Sequence, residues 1–241
     1  MRPYRNIGFF YLLLLLLVVA GFTPRVPGTP FFGYFAQIVQ SGQIPWVVHN
    51  HAAVALAWFV LLVVQAFLIR VDRVDLHRWL GKFSVVPIAL FLFTALQVMK
   101  HFHEKAIARW PEDTALSLLA QSFTGLCAFV VFYFLALVNR RNVHRHVAYM
   151  VAAALAAATP GLARLGLYLV GGLPGILLAI ALVYATLAGF LLHAKFRLGQ
   201  PVSRSPYLPI LALFLMAHAM DLFGSRTTGW LWVADKIVSV W

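Results

Sequence analysis

Residues 49–82 read HNHAAVALAWFVLLVVQAFLIRVDRVDLHRWLGK, and this stretch decides the fold class. Positions 52–69 carry no charged side chain, and as a helix rising 1.5 Å per residue they nearly cross a hydrocarbon core of roughly 30 Å. His49 and His51 stand at one mouth of the segment, and His77, between Asp75 and Arg78, stands at the other. The segment therefore reads as a membrane span with imidazoles at both ends.

The rest of the chain agrees. Of 241 residues, 62% are hydrophobic and 11% charged, against roughly 25% charged in soluble domains. Seven apolar segments can be drawn, near 7–22, 52–69, 83–99, 114–138, 147–170, 176–192 and 208–224. They predict an all-α polytopic transmembrane bundle forming one membrane domain over 1–241, with a short interfacial helix at 228–241 anchored by Trp230, Trp232 and Trp241. Arg2 and Arg5 before a leucine run resemble a signal peptide, but Ala20-Gly21-Phe22-Thr23-Pro24 is a poor cleavage site, so the first segment is kept as a span.

A net charge of +12 would suggest nucleic acid in a soluble protein; here its distribution matters more. With the amino terminus inside, 12 of the 19 Lys and Arg face the cytoplasm, clustered as Arg2 and Arg5, as Arg70, Arg73, Arg78 and Lys82, as Arg140, Arg141 and Arg145, and as Lys195, Arg197 and Arg204. The excess predicts an inside amino terminus and an outside carboxy terminus in a bacterial cytoplasmic membrane, and it explains the basic charge by anionic lipid with no nucleic acid. Connections on the inner side are short, and 100–114 reads as an outer loop. Residues 23–48, rich in Pro, Gly and aromatics such as Phe31, Tyr34 and Trp46, read as a partial lid on the outer surface. Single Cys127 excludes a disulfide framework and reads as a packed thiol; Gln65, Gln97 and Gln121 read as interhelical hydrogen-bonding groups. The small-residue runs AAALAAATPGLA (152–163) and VGGLPG (170–175) predict close helix approach.

Nine histidines are the chemical signal. By the predicted topology His49, His51, His101, His103 and His218 lie toward the outside, and His77, His144, His146 and His193 toward the inside. Imidazole is the usual axial ligand of haem and a common ligand of zinc and copper. His49/His51, His101/His103 and His144/His146 are spaced i, i+2, about 200° apart on a helix, so one face presents only one of each pair. No HxxxH or HExxH supplies a metal clip on one helix. His218 lies deep, with Asp221 at i+3 on the same face, placed either to orient it for a ligand or to satisfy it. Arg164 reads as a holder of an anionic group, such as a haem propionate, a quinone or lipid headgroup or Asp221, or as a side chain reaching lipid phosphate.

Several short motifs occur in order: Gly21-Phe22-Thr23-Pro24; His51 with Trp58 and Gln65; His77-Arg78 with Leu80-Gly81; His144-Arg145; Pro160 with Arg164; and Thr227 with Trp230 and Ala234. In these the chain resembles a widespread bacterial family of multi-span membrane proteins with no assigned activity, and is loosely similar to dihaem b-type membrane cytochromes. His146 stands where that family has Arg, and His101, His103, His193 and His218 depart from its pattern. The resemblance implies His51, His77 and His144 as shared imidazoles.

Three functions fit. The first is a haem b protein passing electrons between quinone and an outer-side partner, with an outer haem on His51 and either His103 or His218, an inner haem on His77 and His144, and Arg164 for propionates. The second is a cofactor-free accessory subunit of other membrane proteins, or a small transporter. The third is a metal-dependent membrane hydrolase, its outer zinc held by His51, His103 and His218 with Asp221 behind them.

Overall fold

The computed structural model describes residues 4–23, 34 and 44–241. Among them lie nine α-helices: α1 (Ile7–Phe22), α2 (Trp46–Arg70), α3 (Val74–Phe83), α4 (Val85–Ile107), α5 (Glu112–Val138), α6 (Val143–Leu169), α7 (Gly172–Leu198), α8 (Tyr207–Ala219) and α9 (Thr228–Val238). A π-helical turn, Met220–Gly224, continues α8. Helices α2, α4, α5, α6 and α7, and α8 with its π turn, are long and apolar enough to cross a membrane; α1 is apolar but shorter, 16 residues or roughly 24 Å. The chain is an all-α, multi-pass membrane protein.

The sequence-drawn spans are extended at several ends. Helix α2 begins at Trp46, so His49 and His51 lie within it and not before it. Helix α4 runs through His101 and His103, which leaves only 108–111 of the expected 100–114 loop as a turn. Polar residues at a helix end keep their backbone hydrogen bonds past the hydrocarbon edge, so hydropathy underestimates helix length. The inner connection after Arg70 holds a separate amphipathic helix, α3, entered through Asp72 at φ 62°. Leu76, Leu80 and Phe83 at i, i+4, i+7 were its sequence signal. Of the expected outer lid, all but Thr23, Tyr34 and 44–48 lies outside the described residues, as does Pro24 of the first motif.

Helix α6 is the hub. It packs against α1, α5, α7 and α8, while α1, α2, α4, α5, α8 and α7 follow one another around it, the ring closed by Phe10 of α1 against Phe190 of α7. In α6, 61% of the apolar window is buried, against 17–28% in the other long helices. Alanine makes this centre possible: Ala148, Ala152, Ala153, Ala154 and Ala158 are fully buried, and side chains this small let neighbouring backbones close in. The closest approaches pair Gly21 with Gly161 and Gly166 with Gly175, where a Cβ on either Gly21 or Gly166 would collide with the partner's carbonyl. Gly171 (φ 79°) and Gly172 (φ 46°) make the tight α6–α7 reversal with conformations that side chains rarely adopt.

Helix α9 bridges α5 and α4. The Trp230 indole N–H donates to the Leu116 carbonyl at 3.0 Å, Trp230 and Ala234 are buried among Met99, Leu116, Leu119 and Ala120, and the Trp241 carbonyl accepts from Lys100 at 2.6 Å. The face bearing Tyr4 and α3 is called the amino side below, and that bearing α9 the far side.

Candidate functional site

His51, Trp58 and Gln65 are seven residues apart and lie along one face of α2. His51 Nδ1 is 3.1 Å from the Thr94 hydroxyl of α4, and its ring lies 5.2 Å from Phe91. Trp58 is buried among Phe59, Phe91 and Phe129. Gln65, with its amide oriented by the surrounding donors and acceptors, accepts from the Gly81 N–H at 3.0 Å and donates to the His77 carbonyl at 3.1 Å, tying α3 to the bundle. The stripe joins α2 to α4 and α3. Gln97 and Gln121, by contrast, are exposed on the bundle surface and make no interhelical bond among the described residues.

On the amino side His77 Nδ1 lies 3.1 Å from the Gln65 main-chain carbonyl and 2.6 Å from the Gln65 amide nitrogen, so α2 engages it in either tautomer. Burial holds His77 below the usual imidazole range, the Gln65 carbonyl opposes this, and the positive charges of His146 and Arg78 add to it. His146, which acts electrostatically on His77, has its Nδ1 2.9 Å from the Ala136 carbonyl. His144, the expected partner, instead lies with Nδ1 3.3 Å from the Tyr4 hydroxyl, and the His193 ring is 6.2 Å from the same tyrosine ring. The 200° between 144 and 146 allows only one to face α3.

On the far side His103 is buried, 4% exposed, with its ring against Trp241 and no partner for Nδ1. It lies nine residues beyond Thr94 on α4, roughly 13 Å of rise. His51, by contrast, meets Thr94 and Phe91 of the same helix directly. Arg164 lies over the Phe22 ring at 4.6 Å and forms no ion pair with Asp221.

The remaining polar group lies between α5, α7 and α8. His218 Nδ1 is 2.8 Å from the Tyr184 hydroxyl of α7. Asp221, on the π turn, accepts the Thr124 hydroxyl at 2.6 Å, and the charge of His218 acts on it. Thr124 is near the midpoint of α5, about 18 Å from its start, so this carboxyl is deep in the bundle. Below it α5 and α8 enclose a groove of about 260 Å³, lined by Thr124, Cys127, Val131, Phe132, Leu213 and Met216. Cys127, read as a packed thiol, is exposed in this groove.

The structure thus joins Asp221 to Thr124 and His218 to Tyr184. It does not gather His51, His103 and His218: among the described residues no three His, Cys, Asp or Glu side chains are placed to hold a metal ion. Thr124 and Tyr184 escaped the sequence reading. Their signal was depth, since an aspartate inside a span needs a donor, and a hydroxyl at the midpoint of another span can supply one. Comparison with protein-family models, curated proteins and solved structures gives no match.

Proposed function

We propose that this protein is a small proton-linked membrane transporter in which Asp221 carries the proton. One observation supports this most: a half-buried carboxyl beside the midpoint of α5 is held by a neutral hydroxyl, Thr124, with no Lys or Arg paired to it among the described residues. An ionisable group at that depth is costly unless it titrates or meets a charge in passing, which is why such groups mark proton and substrate paths. His218 and Tyr184 extend the hydrogen-bonding groups from α8 to α7. The π turn that carries Asp221 is a feature that recurs where a helix serves a site. The clustered basic residues of the amino side orient that face to the cytoplasm. In vesicles holding the purified protein and a pH-sensitive dye, an imposed pH gradient should decay faster than in empty vesicles, and Asp221→Asn should abolish the difference. Equal decay with the variant would sink the proposal.

A second reading, a haem b electron carrier, draws on His77 and His146. Their Nδ1 atoms are engaged by α2 and α5, which leaves Nε2 as the open ring nitrogen, the atom an axial ligand uses. Bound there, haem would supply one-electron chemistry on the amino side, and these two residues would hold it.

A further inference from the structure

We propose that α3 and the first half of α4 bind one anionic phospholipid of the leaflet on the amino side, with its phosphate on Arg78 and Lys82 and an acyl chain laid from Trp79 along α4 to Phe93. The inference stands apart from the proton-carrying role of Asp221. Helix α3 turns His77 and Gly81 toward Gln65 of α2 and leaves two adjacent rows outward. Arg78 and Lys82 form one row and Trp79 and Phe83 the other, each pair at i, i+4, and all four side chains are exposed. The two aromatic rings lie 4.9 Å apart and each residue is 55% exposed.

The aromatic row continues past α3. Ser84 keeps a helical backbone at φ −62°, and the Ile88 N–H donates to its carbonyl at 3.3 Å, so the chain passes into α4 with the row maintained. Val86, Leu90 and Phe93 follow Phe83 at steps of three, four and three residues and are exposed as well. From Phe83 to Phe93 the rise is roughly 15 Å, the depth of one leaflet in a hydrocarbon core of roughly 30 Å.

Charge selects the headgroup. Neither Arg78 nor Lys82 has an ion-pair partner among the described residues. The nearest acid on α3, Asp75, is paired with Arg73 at 3.4 Å, and from Leu76 to His103 the chain carries no acidic residue. A phosphodiester with a net negative charge supplies the missing counter-charge, whereas a choline or ethanolamine headgroup brings its own cation to compete for the phosphate. An acidic protein segment would match the charge but leave the row on α4, which runs into the hydrocarbon, uncovered. A lipid meets both, with the stems of Arg78 and Lys82 over apolar surface and their heads at the phosphate.

Quenching of Trp79 by bromine on an acyl chain reads which lipid sits there. The protein is placed in vesicles of mixed phosphatidylglycerol and phosphatidylcholine, one lipid brominated at a time, and the Trp79 signal is wild type minus Trp79→Phe. Phosphatidylglycerol should bind at this face at least about tenfold more strongly than phosphatidylcholine, since each basic residue near the surface favours anionic lipid roughly fivefold. The combined Arg78→Gln and Lys82→Gln variant should fall to near parity, while quenching by brominated phosphatidylcholine shows that its Trp79 still faces lipid. Arg78→Lys, and Arg140→Gln with Arg141→Gln at the α5–α6 turn, should keep the preference. Equal quenching by the two lipids in wild type, or a preference that survives in the double glutamine variant of α3, would overturn the inference. So would a Trp79 that neither lipid quenches, which would assign this face to a protein partner or to water.

Discussion

Thr124 of α5 donates its hydroxyl hydrogen to Oδ1 of Asp221, on the π turn that continues α8, at 2.6 Å. A hydrogen bond to a charged acceptor contributes roughly 1.5–3 kcal/mol. Thr124→Val should therefore slow gradient decay in vesicles by about tenfold, whereas Thr124→Ser, which keeps the donor, should stay near wild type. A valine variant as active as wild type would show that the bond is incidental to proton movement.

The glycine contacts make a sharper test of packing. Gly21→Ala and Gly166→Ala would each drive a methyl into a facing carbonyl and should destabilise the detergent-solubilised protein by about 1–3 kcal/mol. Gly125→Ala and Gly189→Ala meet nothing within 4 Å and should be neutral or stabilise slightly, because alanine favours helix. Thermal unfolding of the four variants side by side measures this. Equal losses in all four would contradict the close-approach account.

Acid should loosen α3. His77 is held below its ordinary 6.5 by burial, so the neutral ring is favoured in the folded state. Its contribution is complete above pH 6.5 and is lost as the pH falls through the lowered folded value, because the unfolded state then binds the extra proton first. Unfolding midpoints should fall on acidification below pH 6.5, and His77→Gln should flatten that slope. An identical slope in the variant would assign the pH dependence to other groups.

Haem at the amino side would obey the geometry of α6. His146→Ala should remove the Soret absorption of protein purified from haem-replete cells, and His144→Ala, whose native ring meets Tyr4, should keep it. Loss in the His144 variant alone would restore the pairing expected from sequence, and no Soret band in the wild type would end the haem reading.

Sequence alone determined the class and most of the helices of this protein. Apolar length is a property of a continuous stretch, so 7–22 was located to the residue and 114–138 fell two residues short of the start of α5, and the alanines of α6 announced a tightly packed helix before any neighbour was known. The ends of α4 and α7 could not, because His101, His103, Lys195 and Arg197 look like loop residues yet continue helices beyond the apolar core. Tertiary structure decided everything that depends on partners. Asp221 could be seen to sit in a span, but whether it would meet His218, Arg164 or a hydroxyl 97 positions away depended on which helix lies beside α8 and at what depth. His146 stood in plain sight beside His144, and only the rotation of α6 chose which of them faces His77. Helix formation is governed by local hydrogen bonding and hydropathy, which the linear order contains. The meeting of two side chains from different helices depends on the azimuth and offset of both, which packing around α6 sets and no single segment encodes.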